Sequence, residues 1–253
     1  MKIVANWKMN LDFRKSLELA NNYLELQLPS NYELIVLASD LVLEDLKIKF
    51  KGTKIKVFAQ DCSRFAEDGG FTGEISAKQL AKLGVDGVFL GHIERRKLMS
   101  ETDEIVSLKV ENALDAKLKV ILGIGEVTRD LNFTDSIAQI KTQLDKCLST
   151  ISEEEADGRL SIAYESVKNI SSLKSATDKE DDLDLTIDKI SFIDEYLKKK
   201  YPRLKIDIYT GGSLDNSDIT RFKDRNIVNG FLIGKKSLTI SEFKTIVKRI
   251  ILQ

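Results

Sequence analysis

One histidine, two cysteines and two prolines are all that a chain of 253 residues holds of these types, and each shortage closes off a class of protein. Cys62 and Cys147 lie far apart and form no CxxC spacing, which excludes a disulfide framework and, beside a single histidine, argues against a zinc site. No apolar run approaches the roughly 18 residues needed to span a bilayer. The N-terminus enters a strand-like Lys2-Ile3-Val4-Ala5 without the basic and apolar regions of a secretion signal. The expected compartment is therefore the reducing cytoplasm. The 39 basic residues nearly cancel the 40 acidic ones, for a net charge of −1, so no global field draws the protein to nucleic acid or to an anionic membrane. Any anion must be held by a local site.

Hydrophobic residues at 42% can fill a large core, and they are distributed as eight short runs that alternate with amphipathic stretches. The expected strands are Lys2–Ala5, Leu34–Ala38, Lys54–Phe58, Gly87–Leu90, Lys119–Leu122, Ser161–Ala163, Lys205–Tyr209 and Gly230–Ile233, because their length and β-branched or aromatic content favour strand over buried helix. Phe13–Leu26, Ser76–Leu83, Thr102–Ala116, Thr134–Leu148, Leu183–Lys199 and Ser241–Ile251 carry apolar positions three and four apart, the helical pattern. In Leu183–Lys199, for instance, Leu183, Ile187, Ile190 and Ile193 share one side, while Asp184, Asp188 and Lys189 fall on the side expected to be wet. The acidic run Asp178–Asp184 is read as a solvated helix start. Eight such units imply parallel strands with helical crossovers, which close without an edge. There is no GxGxxG after the first strand, and no linker-like stretch divides the chain. The α/β class is thus expected as a single (β/α)8 barrel domain over residues 1–253, rather than a doubly wound open sheet.

In a barrel the functional groups come from the C-terminal strand ends, whose loops share one mouth. Those ends supply Asn6-Trp7-Lys8-Met9-Asn10, Gly91-His92-Ile93-Glu94, Tyr164-Glu165-Ser166, Thr210-Gly211-Gly212-Ser213 and Gly234-Lys235-Lys236. Glu165 is the carboxylate placed to take a proton from carbon. His92, at a strand end and backed by a helix start, is expected to stay neutral and to polarise a carbonyl. Lys8 can stabilise the charge of an enediolate. Gly211-Gly212-Ser213 and Gly234-Lys235 can turn backbone N–H groups toward a phosphate.

These segments together resemble the triosephosphate isomerase family. The resemblance runs in order through Asn6-Trp7-Lys8-Met9-Asn10, Ala59-Gln60-Asp61-Cys62, Phe71-Thr72-Gly73-Glu74-Ile75-Ser76, Leu90-Gly91-His92-Ile93-Glu94-Arg95-Arg96, Ile124-Gly125-Glu126, Ala163-Tyr164-Glu165, Gly211-Gly212-Ser213 and Gly230-Phe231-Leu232-Ile233-Gly234. It implies interconversion of dihydroxyacetone phosphate and glyceraldehyde 3-phosphate without metal or cofactor. Glu165 would be the base, His92 the electrophile, Lys8 and Asn6 the groups on the oxyanion side, and Glu94 an acid that positions the lysine. It also implies a homodimer in which the loop Gln60–Ser76 enters a second copy near Lys8 and His92, with Thr72 at its tip. Asn10 and Gln60 are read as pinning residues, Trp7 as an apolar plug and Cys62 as a buried or near-interface thiol.

The pattern is broken at the lid and the phosphate end. Where the family pattern has Pro-x-Trp after the glutamate and a glycine-containing tip, this chain has Ser166, Val167 and Lys168, then Ser171 and Leu173. Serine does not fix φ as proline does, so closure is expected to cost more entropy. Ser171 can still offer a backbone N–H to phosphate. Thr210 stands for a tyrosine, Ile93 for a serine and Lys235 for a glycine, Lys235 either adding charge to the phosphate site or crowding it. The alternative to an isomerase is a catalytically impaired barrel that binds a phosphometabolite or a protein partner.

Overall fold

The computed structural model describes residues 1–129, 131–165, 167, 183–212 and 216–252. Eight parallel strands close into a barrel in chain order: β1 (Lys2–Asn6), β2 (Glu33–Ala38), β3 (Ile55–Ala59), β4 (Gly87–Leu90), β5 (Lys119–Ile124), β6 (Leu160–Tyr164), β7 (Asp207–Gly211) and β8 (Gly230–Ile233), with β8 returning to pair β1. All eight expected strands form. The seventh is displaced toward its C-terminus, because its ladder with β6 begins at Ser161 opposite Asp207, while Ile206 packs on the outer core before the first rung.

Among the described residues ten α-helices line the crossovers: α1 (Phe13–Leu24), α2 (Leu43–Lys49), α3 (Ala77–Leu83), α4 (Ile93–Leu98), α5 (Asp103–Asp115), α6 (Phe133–Cys147), α7 (Glu153–Ala156), α8 (Leu183–Lys200), α9 (Asn216–Arg225) and α10 (Ile240–Leu252). Six of them, α1, α3, α5, α6, α8 and α10, correspond to the stretches named from periodicity, and the total exceeds one per strand because the crossovers after β4 and β5 each hold two helices. Side-chain caps set several starts: Asp12 accepts from Lys15 N, Asn132 accepts from Asp135 N, and Ser76 and Gln79 form a reciprocal box, each satisfying an amide the helix leaves unpaired. No helix among the described residues is long and apolar enough to cross a membrane.

The two-residue period of the strands divides the core. Val4, Leu37, Phe58, Phe89, Tyr209 and Leu232 belong to a cluster inside the barrel, whereas Ile3, Val36, Leu90 and Ile162 face the helices. Glycine makes room for the largest inward rings: a Cβ on Gly87 would lie 2.5 Å from Phe58, and one on Gly230 would lie 2.9 Å from Tyr209. The same alternation carries the site, since Asn6 continues the inward row of Val4 and Glu165 that of Ala163.

One helical face is corrected. Lys189, expected on the wet side of α8, is buried with Nζ 2.6 Å from Oε1 of the buried Glu126. It shares a row of i+3 and i+4 spacings with Thr186 and Ile193, both buried, so the face turned to the barrel is wider than the apolar residues alone mark out. The acidic run before α8 lies, except for Leu183 and Asp184, outside the described residues.

Candidate active site

Strand β4 ends at Leu90, and the following Gly91, with a φ of +70°, turns the chain so that His92 caps the next helix. His92 Nδ1 accepts from Glu94 N at 3.1 Å. An accepting Nδ1 carries no proton, so the neutral ring presents its N–H at Nε2. The ring is buried and meets Phe89 edge-on, with centroids 5.3 Å apart. Arg96 secures this turn: its Nε donates to Gly91 O at 2.8 Å, and its Nη1 lies 2.5 Å from Asp103 Oδ1.

Glu165 follows β6, and its N–H donates to Ile124 O at 2.9 Å. Glycine is required on one side of it and fits closely on another. A Cβ on Gly125 would sit 2.0 Å from Glu165 O, and one on Gly211 would sit 3.1 Å from Glu165 Cγ. The carboxylate is 2% exposed, and its Oε2 stands 3.5 Å from His92 Nε2. Neither atom has a hydrogen-bond partner among the described residues. Two buried polar atoms left unpaired cost folding free energy, about 1–3 kcal/mol for each neutral group and more for a charge. A ligand that supplies an acceptor to one and a proton to the other recovers it.

Lys8 is a non-glycine residue in the left-handed region, φ +50°. Strain of this kind costs about 1–3 kcal/mol and persists only where the surroundings enforce it. Here Lys8 N donates to Oδ1 of the buried Asn6 at 3.0 Å, and Gln60 Nε2 donates to Lys8 O at 3.0 Å. Lys8 Nζ then meets Glu94 Oε1 at 2.7 Å. Its Cε passes 3.8 Å from the Cβ position of Gly234, which sets the lysine beside the turn after β8. Trp7 is buried below and donates to Tyr23 OH at 3.3 Å, and that hydroxyl donates to Ser237 O at 2.6 Å, tying the same two loops together. Asn10 Nδ2 pins the turn by donating to Trp7 O at 2.8 Å.

The structure therefore brings Asn6, Lys8, His92, Glu94 and Glu165 to one mouth, with Gly212 and Gly234 half-buried at its rim and Lys235 exposed in the turn after β8. Ser166, Lys168, Ser171, Leu173 and Ser213 lie outside the described residues. Among the described residues no group of three or more His, Cys, Asp and Glu is arranged to hold a metal ion. Cys62 is buried, and burial pushes its thiol well above the ordinary range.

Sequence reasoning missed two supports. One is Arg96, noticed only as part of a motif. The other is the buried group of Lys189, Glu126 and Tyr164, in which the Tyr164 hydroxyl donates to Glu126 Oε2 at 2.9 Å. The signal for the first was a guanidinium five residues past the glycine that stops the apolar run of β4. For the second there was none in local periodicity.

The family model described as triosephosphate isomerase matches residues 1–250. The chain belongs to the triosephosphate isomerase family. Curated relatives bearing that name include those of Clostridium acetobutylicum, 36% identical over 247 residues, and Alkaliphilus oremlandii, 34% identical over 248, each alignment covering 97% of both chains. The triosephosphate isomerase of Mycoplasma genitalium is 32% identical over 244 residues, 95% of both chains. The strand-end groups thus sit in a barrel that matches the family along nearly its whole length.

Proposed function

We propose that the chain interconverts dihydroxyacetone phosphate and glyceraldehyde 3-phosphate through an enediolate, with Glu165 moving the proton between carbons. The observation that carries the residue roles is the pair of buried, unpartnered atoms, His92 Nε2 and Glu165 Oε2, 3.5 Å apart. Glu165 takes a proton from the carbon beside the substrate carbonyl. Negative charge then develops on the carbonyl oxygen, where the Nε2–H of His92 and the Nζ of Lys8 stabilise it and Asn6 holds the lysine turn. His92 relays a proton between the two oxygens, and Glu165 returns its proton to the neighbouring carbon, so atoms and charge balance. Glu94 keeps Lys8 Nζ in place. The phosphate is assigned to the backbone at Gly212, Ser213 and Gly234, with Lys235 adding charge and Ser171 donating from the lid.

A homodimer through the loop Gln60–Ser76 is part of the same proposal. Its support is a loop that holds its own shape yet leaves its tip uncovered. Phe65 and Phe71 stack with centroids 3.8 Å apart, Arg64 lies 5.1 Å over the Phe65 ring, and Ser63 N donates to Ile75 O at 2.8 Å. Thr72 is exposed, and Met9, next to Lys8, is 97% exposed.

A coupled assay with glyceraldehyde 3-phosphate tests the reading. Glu165→Gln keeps the volume and removes the base, so turnover should fall by more than about 10²-fold while phosphate-ligand binding persists. His92→Gln should cost less, since an amide still donates one hydrogen bond. Equal activity in all three proteins would refute the assignment, and a parent without isomerase activity would favour the binding barrel.

A further inference from the structure

Strands β4 and β6 are not neighbours. β5 lies between them in the barrel, so their backbones are about 10 Å apart at two strand spacings. His92 and Glu165 nevertheless hold a 3.5 Å separation across that gap, although no described hydrogen bond joins either reactive atom to a support. Something other than a direct bond must fix the distance.

A third apolar cluster sits at this point, separate from the barrel interior and from the strand–helix core. It consists of Ile93 and Val167, 3% and 1% exposed, with Val127 packed against them. Each of the three strand ends contributes one member. Ile93 is the residue after His92, Val167 lies two residues after Glu165, and Val127 comes from the loop after the intervening strand. That middle member is itself held: Gln139 Oε1 accepts from Val127 N at 2.8 Å. Gln143 Oε1 accepts from Gly125 N at 2.9 Å, and Gln143 Nε2 donates to Gly125 O at 2.8 Å. Both glutamines project from α6, so this helix anchors the loop after β5, and the loop presents Val127 to the other two.

We infer that Ile93, Val127 and Val167 form an apolar clasp that sets the spacing of the base and the imidazole. They are positioning residues, for none of them offers a group that could react. The inference rests on the proposed function. β-branched side chains suit the task because a single χ1 rotamer dominates, so contact at the branch transmits position with little slack. Removing the branch from either partner leaves His92 and Glu165 chemically intact but free to drift.

The test is a double-mutant cycle in the full-length protein with Ile93→Ala, Val167→Ala and the pair. A 1 Å misplacement of reacting groups costs about 100-fold, so a drift of about half that should lower kcat about 10-fold. KM for glyceraldehyde 3-phosphate should stay within about twofold, because the phosphate contacts are elsewhere. The double variant should lose no more than either single, since one truncation already opens the clasp. Ile93→Val should recover most of the turnover. Ile93→Thr has the shape of valine with a hydroxyl, and it should remain impaired because the contact is apolar. Full turnover in both alanine variants overturns the inference. So do losses that multiply in the double variant and follow the fall in melting temperature, which would mark a role in stability alone. Inactive parent protein, indistinguishable from Glu165→Gln, would instead overturn the proposed function.

Discussion

Gly211→Ala adds one methyl group to the wall of the site, and its effect follows from three distances. The new Cβ would stand 3.1 Å from Glu165 Cγ, 3.2 Å from Glu165 Oε1 and 3.3 Å from Leu232 Cβ. Carbon atoms rest at about 3.5–4.0 Å, so relief requires a displacement of about 0.5 Å. Gly211 is not among the positive-φ residues, so alanine meets no backbone penalty there and the whole effect is steric. Leu232 is 2% exposed inside the barrel and its Cβ belongs to the rigid strand β8. The Glu165 side chain is bonded to nothing described beyond its backbone and is the part that yields. At about 100-fold per Å, half an ångström gives a fall in kcat of about 10-fold, or about 1.4 kcal/mol.

Overpacking should also reduce folding stability by about 1–3 kcal/mol. The assay pairs turnover in the isomerase direction with a denaturant melt of the same preparations. Turnover unchanged alongside a stability loss would show that the methyl is absorbed by Leu232 or by strand movement. In that case Gly211 does not position the base. A crystal structure of the variant with Glu165 unmoved would refute the reasoning more directly.

Three further outcomes follow from other parts of the barrel. Lys189→Met leaves Glu126 buried with its 2.6 Å partner gone, a loss of about 3–5 kcal/mol in a urea melt, most of it recovered when Glu126→Gln is added; an unchanged melt would mean the pair is solvated. Asp61 is pushed up to about 6 from 3.8, mainly by burial and against the pull of Lys109; the folded protein thus holds this proton where the unfolded chain has lost it, so this group's contribution to stability should fall by up to about 3 kcal/mol as pH rises from about 4 to 6. Asp61→Asn should flatten that window, and a slope identical to the parent's would place the raised pKa elsewhere. Sedimentation at micromolar concentration should show twice the chain mass, and a monomer would count against insertion of the Gln60–Ser76 loop.

What the sequence discloses and what it hides divide along a physical line. Strand existence was legible because short length and β-branched or aromatic composition act locally, and all eight runs form. The strand-end groups were legible because a glycine or a polar residue breaks the apolar run where the chain leaves the barrel, as at Ala5-Asn6, Gly91-His92 and Tyr164-Glu165. The short helices α2 and α4, seven and six residues long, were not named from periodicity, whereas α3, also seven residues, was, because Ser76 and Gln79 mark its start with a capping box. Lys189 was misplaced for a deeper reason. Periodicity classes a lysine as wet, but its burial depends on a carboxylate from another crossover that lies beside it only after the sheet has closed. The same closure turns Ile93 from an anomaly beside the histidine into one side of a three-loop contact with Val127 and Val167. Residues that a local rule assigns to solvent, or marks as departures, are therefore the places to look for partners across crossovers, because a barrel mouth is assembled from segments that share no neighbourhood in the chain.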